Sequence, residues 1–432
     1  VVAQVGAAID ATAAAAAAAA AATTTRVSVK DDDTEGYGGF QPVGQYASLS
    51  ANGRLVAFSS WASLVPGDTD GYDEIYLRDR TKGTTTRVSI ALDGTPPDGQ
   101  SFDPSLSPKG RFLVFTSNAT NLVPGDANGV NDVFLRDLKK GTLERLAPAI
   151  GDAEPDGFCY SPRVTDNGQF VVFSSLAANL VAGDTNGEED VFLHDRRTGT
   201  TERISVSSSG AQAPDGGIDP SVSANGRWVV FSSLSSGLVD GVGAGTWHVY
   251  LRDRLLGTTV LLDRNMEGEP ANRRSAEPII TPSGKFVVFS SQASDLVEGD
   301  GNGTLGWDVF LYDAKLRTIR CLSVQPDGAL PPAGQSYAPA ISSSGRFVAF
   351  QSGASTLVEG DTNGNHDIFL RDVKKGTTVR VSVDGAGGQV PGYSERPQVS
   401  SNGKVVVFES SATTLVPGDL NANTDLFARD LR

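Results

Sequence analysis

The sequence predicts an all-β fold, a seven-bladed β-propeller of four-stranded antiparallel blades, from three observations. First, one phrase, NGRLVAFSSWASLVPGDTDGYDEIYLRD at 52–79, occurs seven times, last as NGKVVVFESSATTLVPGDLNANTDLFARD at 402–430. Its acidic landmark falls at Asp68, Asp126, Asp184, Asp300, Asp361 and Asp419, with a degenerate copy at Asp240, and successive spacings run from 56 to 61 residues. A regular period means one supersecondary unit copied and stacked. Second, each copy contains four short runs rich in β-branched and aromatic residues. Third, the last copy ends at Arg429-Asp430-Leu431-Arg432, without its fourth run, and that run stands at the other terminus as TTTRVSV, Thr23 to Val29. The N-terminal strand is expected to complete the last blade and remove the open edges of the array.

The second copy shows the elements in order. DPSLS at 103–107 is the first strand, and it runs into Ser107-Pro108-Lys109-Gly110. Other copies carry Asn52-Gly53, Asn167-Gly168, Asn225-Gly226, Ser283-Gly284, Ser344-Gly345 and Asn402-Gly403 there, pairs that tolerate the positive φ of tight hairpins. RFLVFTS at 111–117 is the second strand, and its Phe115 recurs as Phe58, Phe173, Phe231, Phe289, Phe350 and Phe408, which marks a position between packed sheets. DVFLRD at 132–137 is the third strand, and LERLAP the fourth. The repeat covers residues 23–432 without a linker, so one closed domain is expected. Residues 1–22 stand apart as an Ala-rich segment: Ala13 to Ala22 reads as a short helix on propensity or as a stretch of unidentified side chains, and it makes a poor signal peptide.

The elements NGRxVxFxS and DVFLRD resemble the TolB-type, WD40-like β-propeller repeats of bacterial envelope and secreted proteins, over nearly the whole chain. The resemblance implies a binding platform in general and an enzyme in a minority of members. The insert LVPGDTNG between the second and third strands is longer and more acidic than is usual in those blades.

That insert is the main candidate for chemistry. Four copies fit D-x-N/D-G-x-x-D/E: Asp68, Asp70 and Glu74; Asp126, Asn128 and Asp132; Asp184, Asn186 and Asp190; Asp361, Asn363 and Asp367. Asp419, Asn421 and Asp425 form a fifth with Ala422 in place of Gly, and Asp300, Asn302 and Asp308 a stretched sixth. Carboxylate and amide oxygens suit Ca²⁺, and the pattern echoes the first half of an EF-hand loop, so up to six weak Ca²⁺ sites are expected. The competing reading is that Asp and Asn cap turns through hydrogen bonds to nearby amides. In the fourth copy, Asp240 to His248, the Asn and the final acid are lost together, which favours a joint role.

The net charge of −15 and pI near 4.7 argue against a nucleic-acid partner. In the repeat region no apolar run approaches the length of a membrane span. Cys159 and Cys321 occupy non-equivalent places and are expected as isolated thiols. His194, His248 and His366 fall in three blades, with His194 expected at the surface, and the metal-binding His set of TolB-type polysaccharide lyases has no counterpart. The recurring Asp79, Asp137, Asp195, Asp253, Asp313, Asp372 and Asp430 are expected to cap turns. The expectation is a non-catalytic extracellular, cell-surface or periplasmic propeller that binds a protein or glycan or assembles through its N-terminal segment, with Trp247 and His248 as a contact point. The alternative is a carbohydrate-active enzyme or lectin at the central channel, drawing on Tyr46, Tyr160, Arg163, Arg273, Arg274, Glu277, Tyr337 and Arg396.

Overall fold

A computed structural model describes residues 22–35, 47–300, 306–419, 421 and 423–431. Tyr46, Asn302 and residues 1–21 lie outside the described residues. The chain forms seven four-stranded antiparallel sheets, six of them with their strands in sequence order from the centre outward. Blade 3 is typical, with strands Cys159–Val164, Phe170–Ser175, Asp190–Asp195 and Thr200–Arg203. In blade 7 the strands Ser394–Val399, Val405–Ser410 and Asp425–Asp430 are completed by the closing strand Thr23–Arg26, which pairs Thr23 with Asp430 and Arg26 with Phe427.

The core lies between blades, as the recurring phenylalanines required. Phe58, Phe115, Phe173, Phe231, Phe289, Phe350 and Phe408 are all fully buried. Each stands against an aromatic of the third strand, as Phe173 does against Phe192 at 5.8 Å. The hairpin glycines have a second duty here. A Cβ on Gly226 would meet the Phe170 ring of the preceding blade at 2.4 Å, so the turn needs glycine for close approach as well as for its φ of +70°.

Two features differ from the sequence reading. In six blades the first strand carries a bulge, with a non-glycine residue at positive φ just before a proline: Asp103, Ser161, Asp219, Glu277, Ala338 and Arg396, at φ from 49° to 58°. Bulges re-aim side chains, and these surround the central channel, where a cavity of about 100 Å³ remains. His194 is not at the surface. It is buried, with Nδ1 3.0 Å from Thr201 Oγ1, because its strand position faces the neighbouring blade's loop. At the same position Arg78 donates to Lys30 O and Thr85 Oγ1, and Arg252 to Ser207 O and Thr259 Oγ1. These contacts latch the loop that leaves one blade onto the next.

Candidate functional site: acidic loops and channel mouth

An arginine that the sequence reading passed over enters five of the acidic loops. It ends the fourth strand of the same blade, opposite the aromatic of the third, as Arg203 stands opposite Phe192. Arg203 Nη1 lies 3.1 Å from Asp184 and 3.4 Å from Asp190. Arg145 reaches Asp126 and Asp132, both at 3.3 Å, and Glu154 at 2.7 Å. Arg380 stands 3.3 Å from Asp361 and 3.6 Å from Asp367. Arg87 contacts Glu74 at 2.7 Å and Asp70 at 3.7 Å, while Asp68 accepts from the Tyr76 hydroxyl. Arg26 of the closing strand meets Asp419 at 3.4 Å, Asp425 at 3.6 Å and Glu35.

The asparagines are used as well. Asn186 donates its Nδ2 to Asp190 at 3.1 Å and to Ala213 O at 2.9 Å, while its Oδ1 accepts from the Glu188 amide. Asn363 repeats the pattern with Asp367 and Val390 O. Asn128 and Asn421 likewise donate to Asp132 and Asp425, at 3.5 and 3.4 Å. Each amide therefore offers the carboxylate an N–H, with its oxygen tied into the turn. A cation in these loops would have to share the carboxylates with a guanidinium. The donor set best suited to one is Asp68, Asp70 and Glu74, whose ligand oxygens lie within 4.8 Å of one another. Glu35, Asp419 and Asp425 also converge, around Arg26.

The two blades without this arginine are the two with irregular loops. In blade 4 its place is taken by Leu261, and in blade 5 by Cys321. His248 is buried, not available as a contact point: its Nδ1 sits 2.8 Å from Asp263 Oδ2, replacing the acid–serine pair that blade 5 forms between Asp308 and Ser323 at 2.7 Å. The joint loss of the Asn and the final acid in blade 4 thus coincides with loss of the arginine.

Burial outweighs the arginines in setting the acids' protonation. Desolvation raises Glu74 to about 7, Asp132 to about 7 and Asp126 to about 6, and raises Asp190, Asp361, Asp367, Asp419 and Asp425. A carboxyl whose folded pKa exceeds its unfolded value of about 4 binds its proton more tightly when folded. Its stabilising contribution is present below about pH 4 and is lost as pH rises toward 7. The urea midpoint is therefore expected to fall between pH 5 and pH 8, and to fall less in Asp132→Asn. Equal slopes for both proteins would contradict this assignment. Asp79 and Asp137 do not interfere, because hydrogen bonds from Arg54 and Arg111 hold them at about 2 and their effect lies below that window. They cap the turn as expected, Asp79 Oδ1 accepting from the Thr81 and Lys82 amides.

A second constellation lies on the same face, at the mouth of the channel. In blades 1 to 6 the residue just before the third strand accepts a backbone hydrogen bond from the start of the next blade's first strand, as Trp247 O does from Ser275 N at 2.8 Å. In blades 1 to 3 that residue is Asp73, Asn131 and Glu189; in blades 4 to 6 it is Trp247, Trp307 and His366. Arg274 bridges the first pair, its guanidinium 5.7 Å from the Trp247 ring and 5.6 Å from the Trp307 ring. His366 meets Tyr337 and Tyr393 edge-on, with Nδ1 3.2 Å from the Tyr337 hydroxyl and 3.8 Å from Glu395. Below them, Arg163 and Glu277 line the channel beside Asp219 and Arg396. Arg163 carries its charge against desolvation that lowers its pKa, and burial raises Asp219 to about 6. Tyr160 is elsewhere on the rim, stacked on Phe158 at 6.3 Å. Of the residues named from sequence, Trp247, Arg274 and Tyr337 join this cluster, while Trp307, His366 and Tyr393 were missed as members of it.

No family model matches the chain, and no curated protein matches it. An oligogalacturonate lyase in complex with manganese is similar over 96% of this chain and 91% of its own, with TM-score 0.54 and 13% identity. The β-propeller domain of the Trilobed protease from Pyrococcus furiosus is similar over 92% and 95%, with TM-score 0.54 and 11% identity. That domain has an open velcro topology, whereas Thr23–Arg26 closes the ring here. TolB from Acinetobacter baumannii matches 63% of this chain and 52% of its own, with TM-score 0.38 and 19% identity. The chain thus spans about half the length of that TolB, and at these identities the likeness is one of fold, a β-propeller.

Proposed function

We propose that the protein is a non-catalytic binding propeller of the cell exterior or periplasm that takes a glycan at its channel mouth. The observation that carries this reading is the run of Trp247, Trp307 and His366 in one column of three successive blades, where the three preceding blades carry small polar or acidic residues. Aromatic faces supply apolar contact area to a sugar ring, and Arg274, His366 and Glu395 supply directional partners at its edges. Tryptophan fluorescence titrated with a panel of neutral and acidic oligosaccharides is expected to report binding. Trp247→Ala and Trp307→Ala should each weaken it by about tenfold or more, on the scale of interface hot spots. Binding indifferent to both substitutions, or none across the panel, would overturn the reading, and cleaved sugars in the recovered mixture would move the protein to the enzymes.

Ca²⁺ in the acidic loops is the second reading, and the convergence of Asp68, Asp70 and Glu74 favours it. Millimolar Ca²⁺ would then stabilise the fold by about 1 kcal/mol per site at a few times Kd. Melting with chelator and with Ca²⁺ tests it: a shift that disappears in Asp68→Asn supports it, and identical melting curves dismiss it. In that case the arginines alone supply the loops' positive charge.

A further inference from the structure

We propose that the outer groove between blades 4 and 5 is a docking site for an acidic polypeptide segment bearing apolar anchors. The groove measures about 880 Å³ and lies away from the channel. It lies where the arginine latch between blades is replaced. Where blade 1 has Arg78 and Thr85 and blade 4 has Arg252 and Thr259, blade 5 has Tyr312 and Ile319, and the loop that carries Met266 and Glu267 is tied to blade 5 instead by Asn265 Nδ2, 2.9 Å from Asp295 Oδ2. Trp228, Leu251 and Leu261 complete apolar walls.

The surroundings depart from the repeat in the same direction. The turn after the third strand carries Thr81-Lys82, Lys139-Lys140 and Lys374-Lys375 elsewhere, but Leu255-Leu256 in blade 4 and Lys315-Leu316 in blade 5. Leu255, Leu256 and Leu316, in the turns of the two blades that form the groove, are 73%, 67% and 66% exposed, and Met266 of the groove wall is 61% exposed. Apolar exposure of this kind marks an interaction surface more than chance drift does.

Arg317 adds an independent sign. Its φ is +55°, at a turn position filled in five other blades by glycines with φ from 66° to 74°. A side chain held in that conformation costs about 1 kcal/mol or more, so strain is retained to place a guanidinium at the groove's edge. Arg264 lines the groove with it and Lys315 stands two residues earlier in the same turn, and none of the three makes an ion pair among the described residues. Glu267 is the acid in the wall, and Asp313 caps the Lys315 and Leu316 amides. A basic, apolar groove on a chain of net charge −15 calls for an acidic partner with apolar side chains. Its concave form, with walls from two blades, fits an extended segment better than a lipid surface.

The test is selection of a phage-displayed random dodecapeptide library on the full chain, depleted against Leu256→Glu/Leu316→Glu. Enriched peptides are expected to be acidic with leucine or aromatic anchors. As synthetic peptides they should lose at least tenfold in affinity with that variant and with Lys315→Glu/Arg317→Glu, both melting like the parent. Arg317→Gly should weaken binding while leaving stability unchanged or raised, which a purely structural arginine would not do. Absence of enrichment, enrichment of neutral or basic peptides, or binding indifferent to these substitutions overturns the proposal. So does a concentration-dependent dimer, or flotation with phosphatidylserine vesicles, that the same substitutions abolish. None of these readouts involves the channel mouth, so the glycan reading stands or falls separately.

Discussion

A chain beginning at residue 36 is expected to lose its closed ring. The closing strand contributes four backbone pairings to blade 7, and Val27 and Val29, which follow it, are almost fully buried. Burial of two valines alone is worth about 1.5–3 kcal/mol each. The deletion also removes Ser28, which donates to Asp425 at 2.7 Å, and Arg26, which faces Asp419 and Asp425, and it bares one edge of the strand Asp425–Asp430. Against a total stability of about 5–15 kcal/mol, the sum is large enough to open or unfold the protein. Limited proteolysis should find the strands of blade 7 cleaved first, and a synthetic peptide of residues 23–35 should restore protection by adding the missing strand. Wild-type melting in the shortened chain would show that the ring does not depend on this closure.

Arg203→Leu is the second substitution with a large expected effect. The arginine side chain is 10% exposed, and those of Asp184 and Asp190 are 4% and 0% exposed. Removing one partner of a buried ion pair leaves the other charge uncompensated, at a cost of about 3–5 kcal/mol. Asp184→Asn/Asp190→Asn/Arg203→Leu should recover much of that loss, since no charge is then buried. Blade 4 shows that the fold accepts such a change, with Leu261 at the arginine's place and His248 bonded to Asp263 in place of the acid. Because burial raises the Asp190 pKa, the penalty of the single substitution should shrink as the pH falls and the carboxyl protonates. Urea midpoints at pH 5 and pH 8 read both effects. A neutral Arg203→Leu at pH 8 would mean that something other than the guanidinium balances the loop.

The repeat phrase made the ring legible because the same constraints recur in every blade: phenylalanine between sheets, glycine against the neighbouring blade, aspartate under the turn. The acids of the loops were equally visible. Their arginines were not, because Arg203 stands 13 residues beyond Asp190 in a strand that reads as ordinary edge sequence. A signal did exist, since Leu261 and Cys321 replace arginine in the two blades whose loops are irregular. The mouth was hidden for a related reason. Trp247, Trp307 and His366 are far apart in the chain and share only a column, which appears when the blades are aligned on their third strands. His194 misled because arginine at its position suggests solvent, whereas the position points into the junction between blades.

The protein has four tryptophans, and their indole N–H resonances separate the surfaces. Trp247 and Trp307 lie at the mouth, Trp228 lines the outer groove, and Trp61 has its Nε1 buried. On titration with a binding oligosaccharide, a two-dimensional ¹⁵N spectrum is predicted to show the Trp247 and Trp307 indole signals shifting together along one saturable curve, with those of Trp61 and Trp228 unmoved. Saturable binding that leaves both mouth signals in place would contradict the account.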